Sequence, residues 1–287
     1  MRLVTFRVTG SDRDRLGALL DDGVLDLTAA GAPASLLELL REGELSMVRV
    51  RELVAGGRAD HALDAVALRA PLTRPNSIRD FMLVEEHVRN SFGEVPAEWY
   101  EIPVYWKGNC DAVLGPDDDV PWPRYTEKLD YELELGAVIG RPVRYATLDE
   151  AAASIAGFTI FNDWSARDIQ FREMKVGLGP GLGKDFATSL GPCLTTADAF
   201  EVASARMSAR VNGEVWSEGT LGAMRFSFPE VIAHLSEEQT LQPGDVLGSG
   251  TVGRGCGLEL DRWIAPGDVV ELEVEGIGTL RNRVAAR

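Results

Sequence analysis

Apolar and polar positions alternate at the start of the chain, where Leu3, Thr5 and Arg7 are set against Val4, Phe6 and Val8, and the pattern returns at Val24 to Leu27. A period of two marks half-buried strands, and the polar run Ser11-Asp12-Arg13-Asp14-Arg15 between them reads as a turn. From Ser35 the spacing changes. Leu36, Leu37, Leu39 and Leu40 recur at helical intervals, and a second helical run covers Met47 to Val54 before Gly56 and Gly57 stop it. The turn-rich segment Pro71-Leu72-Thr73-Arg74-Pro75-Asn76 then breaks the pattern, so a small N-terminal α/β lobe over residues 1–70 is expected before a larger unit over residues 71–287.

In that larger unit Tyr131 to Gly140 and Gly157 to Asn162 predict buried strands, separated by a helix from about Leu148 that Thr147 and Glu150 open as a capping box. Asn212-Gly213 inside Val211 to Trp216 signals a type I′ hairpin, and Pro-Gly-Asp at 243–245 and again at 266–268 launches an apolar strand each time. No internal repeat interrupts this order. The predicted fold class is α+β and β-dominated.

Composition narrows the partners. Of 287 residues 45% are hydrophobic and 26% charged, enough apolar material for a substantial core. The 45 acidic residues exceed the 29 basic ones, and a net charge of -16 repels phosphate backbones and anionic lipid, so neither nucleic acid nor a membrane is an expected partner. An anionic ligand would need a local reversal of sign, from a metal ion or converging cations. Cys110, Cys193 and Cys256 lie far apart and fit neither a disulfide framework nor a CxxC zinc site. With no secretory leader pattern and no apolar run near the ~18 residues that a membrane span needs, a cytoplasmic protein is expected.

Several motifs fail on inspection. Gly248-Ser249-Gly250-Thr251-Val252-Gly253 matches GxGxxG, but Arg254-Gly255-Cys256-Gly257 offers no helix start for a pyrophosphate. Gly183-Lys184 lacks the opening glycine and the Ser or Thr of a P-loop. No GxSxG occurs, and His61, His87 and His234 are too scattered for a local zinc site.

The carboxylates carry more. Glu132-Leu133-Glu134 sits in a predicted strand, where residues two apart point the same way. Such a pair is usually a solvated face, but the apolar flanks through Ile139 predict burial, and a buried carboxylate must be paired or metallated. Asp163 ends the next apolar run and Asp80 follows the hinge closely, so Asp80, Glu132, Glu134 and Asp163 form a candidate all-oxygen site for magnesium, with manganese or calcium as alternatives. After Asp163, Ser165 is expected to cap a helix carrying Arg167 and Gln170 on one face, and the glycine-rich loop from Gly177 to Gly183 delivers Lys184. These three would make an oxyanion site beside a dication. His87, seven residues after Asp80, is a candidate base.

Taken together, Asp80-Phe81 with His87, Pro103 to Lys107, Asp130-Tyr131-Glu132-Leu133-Glu134, Asn162-Asp163-Trp164-Ser165-Ala166-Arg167-Asp168 with Gln170, Gly183-Lys184 and Gly250-Thr251 resemble the fumarylacetoacetate hydrolase superfamily. The ending from Pro266 to Val270 and from Gly276 to Leu280 fits too. The resemblance implies a mixed β-sandwich roll core that forms a homodimer, a divalent metal on the four carboxylates, and a small anionic dicarbonyl acid as substrate. It also aligns Glu259 with the glutamate that orients the histidine. The function expected on this basis is hydrolysis of a carbon–carbon bond in a 1,3-diketone or 2,4-dioxo acid, with His87 and Glu259 activating water, Gln170 and Lys184 stabilising the oxyanion, and Arg167 and Thr251 anchoring substrate oxygens. Met82 and Trp106 stand where fumarylacetoacetase has tyrosines, and Pro96 falls near an expected arginine, so the substrate pocket, with Met82 and Trp106 as contacts, differs from that enzyme's. Isomerisation, decarboxylation or hydratase/lyase chemistry through an enolate is the alternative. A structural metal-binding protein without turnover is the non-enzymatic one.

Overall fold

The computed structural model describes residues 1–286. Among these residues an eleven-stranded mixed sheet organises the molecule. Its path runs from Gly23–Asp26, Arg15–Leu20 and Arg2–Val8 through Thr188–Thr196, Ile155–Asp163, Glu134–Ile139 and Asp245–Gly248 to Ser77–Phe81 and Tyr105–Gly108. A second sheet of five strands contains the hairpin Met207–Val211 and Glu214–Gly219, followed by Val269–Val274, Gly278–Val284 and Asp119–Val120. The α+β, sheet-dominated class is therefore what the chain adopts.

Local rules account for most elements. Asn212 and Gly213 both take positive φ, 51° and 82°, as a type I′ turn demands. Thr147 and Glu150 close the capping box on helix Leu148–Ala152, and Ser227 with Glu230 closes a second on Phe228–Ser236. Each Pro-Gly-Asp delivers its strand, Asp245–Gly248 and Val269–Val274. The predicted strand from Tyr131 is shorter than expected: it becomes regular only at Glu134–Ile139, while Glu132 makes an isolated bridge to Cys256.

The chain crosses from residue 70 to the larger unit without interrupting the sheet. Arg2–Val8 pairs antiparallel with Thr188–Thr196, Leu3 opposite Leu194, and Leu3, Leu16, Leu36 and Leu39 share one apolar cluster with Val138 and Phe161. On the other face Leu133, Leu135, Ala137 and Ile139 join the cluster that fills the space toward the five-stranded sheet. Each fully buried leucine contributes about 2 kcal/mol, so both faces of the Glu134 strand are anchored.

That anchoring decides where the acid groups go. Across the sheet Trp106 lies opposite Asp80, Asp80 beside Gly248, and Gly248 opposite Gly136. Two adjacent glycines leave a gap on the face that Glu134 and Asp80 share. A Cβ on Gly248 would strike the Asp80 carboxylate and come within 3.2 Å of Glu134 Oε2. The GxGxxG letters thus serve carboxylates, not a nucleotide.

Candidate active site

Asp80, Glu132 and Glu134 converge at this gap, each offering an oxygen, and these oxygens all lie within 4.8 Å of one another. The supports are specific. Trp106 Nε1 donates to Asp80 Oδ2 at 3.1 Å, the Gly250 amide to Glu134 Oε2 at 3.1 Å, and Thr251 Oγ1 to Glu134 Oε1 at 3.4 Å. Asn162 Oδ1 accepts from the Glu132 amide at 2.9 Å, tying the bridge to the neighbouring strand. Asp163 ends that strand as expected, with Oδ2 held by Lys184.

Burial without enough partners perturbs these groups. Burial and then the facing Asp80 charge push the Glu134 carboxyl well above the ordinary range. Burial also raises Asp80 and Asp163, although Lys184 opposes it in both. Glu132 goes the other way: burial opposes ionisation, but Lys184 and Arg167 hold it below the usual carboxylate range. Asp80 Oδ1 and Asp163 Oδ1 are buried with no hydrogen-bond partner. An unpaired buried carboxylate costs several kcal/mol, so a set of oxygen-only donors with orphaned lone pairs fits a hard divalent cation.

The two cations are less free than the sequence suggested. Lys184 Nζ is 2.6 Å from Glu132 Oε2 and also pairs with Asp163. Arg167 donates through Nε to Asp130 Oδ2 at 2.8 Å, places Nη2 2.7 Å from Glu132 Oε1, and donates through Nη1 to Gln170 Oε1 at 3.0 Å. Its guanidinium braces Glu132 and at the same time lines the cavity, so contact with a substrate stands as an expectation beside this bracing role. Ser165 does not cap the helix. It lies in the short strand Ser165–Ala166, its hydroxyl donates back to the Asp163 carbonyl, and helix Arg167–Met174 starts after Ala166.

Asp130 is the residue that sequence reading missed. Its carboxylate accepts from Arg167 and from the Gly257 and Leu258 amides at 2.7 and 3.0 Å, so it joins the carboxylate centre to helix Gly257–Leu260. The signal was present: Asp130, Glu132 and Glu134 repeat with period two.

Helix Gly257–Leu260 carries Glu259, and helix Glu85–Phe92 carries His87. His87 Nδ1 and Glu259 Oε1 are 2.7 Å apart and buried. Glu259 Oε2 accepts from Asn90 Nδ2 at 2.8 Å and from the Arg254 amide at 2.9 Å. Burial would raise the Glu259 carboxyl, but the bond to His87 and its other partners bring it below its ordinary value. With Nδ1 bonded to a carboxylate, Nε2 is the ring nitrogen left to accept a proton.

A cavity of about 250 Å³ opens over this arrangement. Asp80, Glu132, Glu134, His87, Gln170 and Lys184 line it, together with Arg167, Thr251, Met82 and Trp106. Asp163 and Glu259 stand behind that lining, one against Lys184 and the other against His87. The remaining wall is mainly apolar, with Phe92, Val104, Phe171, Met174 and Pro180 among its residues, and it also includes Ser91 and Tyr105.

Known proteins resemble this chain along nearly its whole length. Residues 76–285 match the family model described as fumarylacetoacetate (FAA) hydrolase C-terminal. The chain is 34% identical over 294 residues to oxaloacetate tautomerase FAHD2A, mitochondrial, of Bos taurus, covering 99% of this chain and 91% of that protein. Among solved structures, fumarylacetoacetate hydrolase from Exiguobacterium antarcticum superposes with a TM-score of 0.78 at 29% identity, covering 100% of both chains. A maleylpyruvate hydrolase from Sphingobium sp. SYK-6, in complex with manganese(II) and pyruvate, gives 0.77 at 25% identity over 99% of both chains.

Proposed function

This chain belongs to the fumarylacetoacetate hydrolase family, and on that premise we propose that it is a magnesium-dependent hydrolase cleaving a carbon–carbon bond of a 2,4-dioxo acid. The observation that carries the reading is the buried His87–Glu259 pair beside the cluster of Asp80, Glu132 and Glu134 in one cavity. Tautomerisation needs no activated water, whereas a histidine braced through Nδ1 by a carboxylate is the arrangement that activates one.

Asp80, Glu132, Glu134 and Asp163 are the residues that would hold the cation. When bound, it supplies Lewis acidity, polarising the carbonyl it contacts and lowering the cost of enolate charge. The protein's own residues do the rest. Glu259 fixes the Nδ1–H tautomer of His87, so Nε2 takes a proton from water as its oxygen bonds to the acyl carbon. Glu259 then stabilises the imidazolium. The Gln170 side chain is oriented by Arg167 through Oε1, which leaves its amide NH₂ to donate to the oxyanion. The bond between the acyl carbon and the neighbouring methylene breaks, the methylene carbon regains a proton from the imidazolium, and a carboxylic acid and a 2-oxo acid leave. Water is consumed and no redox partner is needed.

Incubation with magnesium and an acylpyruvate is expected to give pyruvate and the free acid in equal amounts, with loss of enol absorbance. Replacement His87→Ala is expected to lower kcat by about 10²–10⁴-fold. The tautomerase named among the relatives supports a second reading, in which enol absorbance falls and no cleavage product forms.

A further inference from the structure

The cavity changes character from floor to mouth. At the floor Asp80 and Glu134 are 4% and 0% exposed, whereas at the mouth Phe92 and Val104 are 40% and 43% exposed. The mouth is shaped by aromatic and aliphatic groups. Phe92 and Phe171 meet edge to face, 6.5 Å between centroids, with Met174 and Pro180 in the same wall. Pro180 belongs to a loop whose Val176 and Leu178 are also exposed.

Charge is distributed in the opposite sense. Arg167 and Lys184 are the lysine and arginine side chains that line the cavity among the described residues, and both lie at the floor facing Asp130, Glu132 and Asp163. None of the mouth residues named above carries a charge or a strong donor. A carboxylate laid against these side chains would lose part of its hydration, and none of them offers it a hydrogen bond in return.

Resting on the reading above that the site takes a 2,4-dioxo acid, we infer that the cavity selects substrates whose far end is apolar and uncharged and disfavours those ending in a second carboxylate. The floor recognises the dioxo acid head, and Phe92, Val104, Phe171 and Met174 recognise the tail. Val104 is the position where charge selection is most open to change, because it is half exposed and lies outside the carboxylate and His87–Glu259 groups.

The test is a matched series assayed with magnesium: acylpyruvates with straight acyl chains of increasing length, a benzoyl member, and chains of equal length ending in a carboxylate. Non-cleavable 2-oxo acids with the same tails are titrated in parallel by calorimetry. Each added methylene is expected to raise kcat/KM and affinity about threefold to fourfold until the mouth is filled. A terminal carboxylate is expected to lower both at least tenfold against its methyl-ended counterpart, and Val104→Arg to narrow or reverse that gap. Equal or better use of the dicarboxylates by the unaltered protein, or no dependence on chain length, would overturn the inference. If the non-cleavable acids bind in the expected order but no cleavage is seen, the inference stands and the hydrolase reading fails. If no member of either series binds, both fall.

Discussion

Asp245 and Asp80 occupy opposite ends of one pair of parallel strands, Asp245 beside Ser77 and Gly248 beside Asp80, and both are buried. At the first end the carboxylate is fully matched. Asp245 accepts from Asn76 Nδ2 at 2.6 Å, Ser77 Oγ at 2.7 Å and the Gln242 amide at 2.9 Å, with Arg79 3.4 Å away. At the second end Asp80 keeps one oxygen without a partner and faces Glu134 across a gap made by glycine. The same backbone therefore supports a structural acid and a functional one, and the difference lies in the donors supplied. Unmatched charge marks the end where a ligand is needed.

The largest effect that would break this contrast comes from Glu134→Gln. It should abolish cation binding by calorimetry and lower turnover beyond the roughly hundredfold that loss of an outer partner costs. Melting of the metal-free protein should be unchanged or improved, because a repelling charge has gone. Asp245→Ala should do the reverse: about 3 kcal/mol of stability lost in chemical denaturation as Arg79 is left uncompensated, with cation affinity in the folded fraction retained.

A pH series sharpens the same point. Glu134 and Asp163 have carboxyls raised above their unfolded values by burial. The stability they contribute is fully present below the unfolded carboxyl range near 4 and is lost as pH rises through the folded values. These two groups should therefore lower the melting temperature of the metal-free protein as pH rises through their folded values, with Glu132 contributing in the opposite sense, while saturating magnesium should remove that decline and its binding should release protons. A flat profile without metal would count against the paired-carboxylate account. The smallest effect expected is Gly248→Ala, where the added methyl group displaces Asp80 and weakens cation affinity on the order of tenfold.

How legible was all this in the sequence? Strand pattern and turn chemistry were legible where they are local, as at Asn212-Gly213, Thr147 and the two Pro-Gly-Asp starts. The spacing of Glu132 and Glu134 also exposed the core of the site. Asp130 shares that spacing, but its role depends on Arg167 and on amides 127 and 128 residues away, which no local rule connects. Glu259, 172 residues from His87, was reachable only through family resemblance. Ser165 misled because a two-residue pairing with Leu129–Asp130 outweighed its capping preference. The apolar mouth was invisible for a related reason: its residues come from separate segments, each of which reads by itself as an ordinary surface turn or helix face.

The pairing of Arg2–Val8 with Thr188–Thr196 has one more consequence. Arg2–Val8 meets that strand at Leu194 and Thr195, across from Phe158 and at the far end of Ile155–Asp163 from Asp163, so the N-terminal strands cover a flank of the sheet away from the functional centre. A chain beginning after Arg69 would leave much of that flank as an open row of amides and carbonyls beside apolar side chains, a template for edge-to-edge association. Removal of residues 1–70 is therefore expected to cost solubility before it costs chemistry.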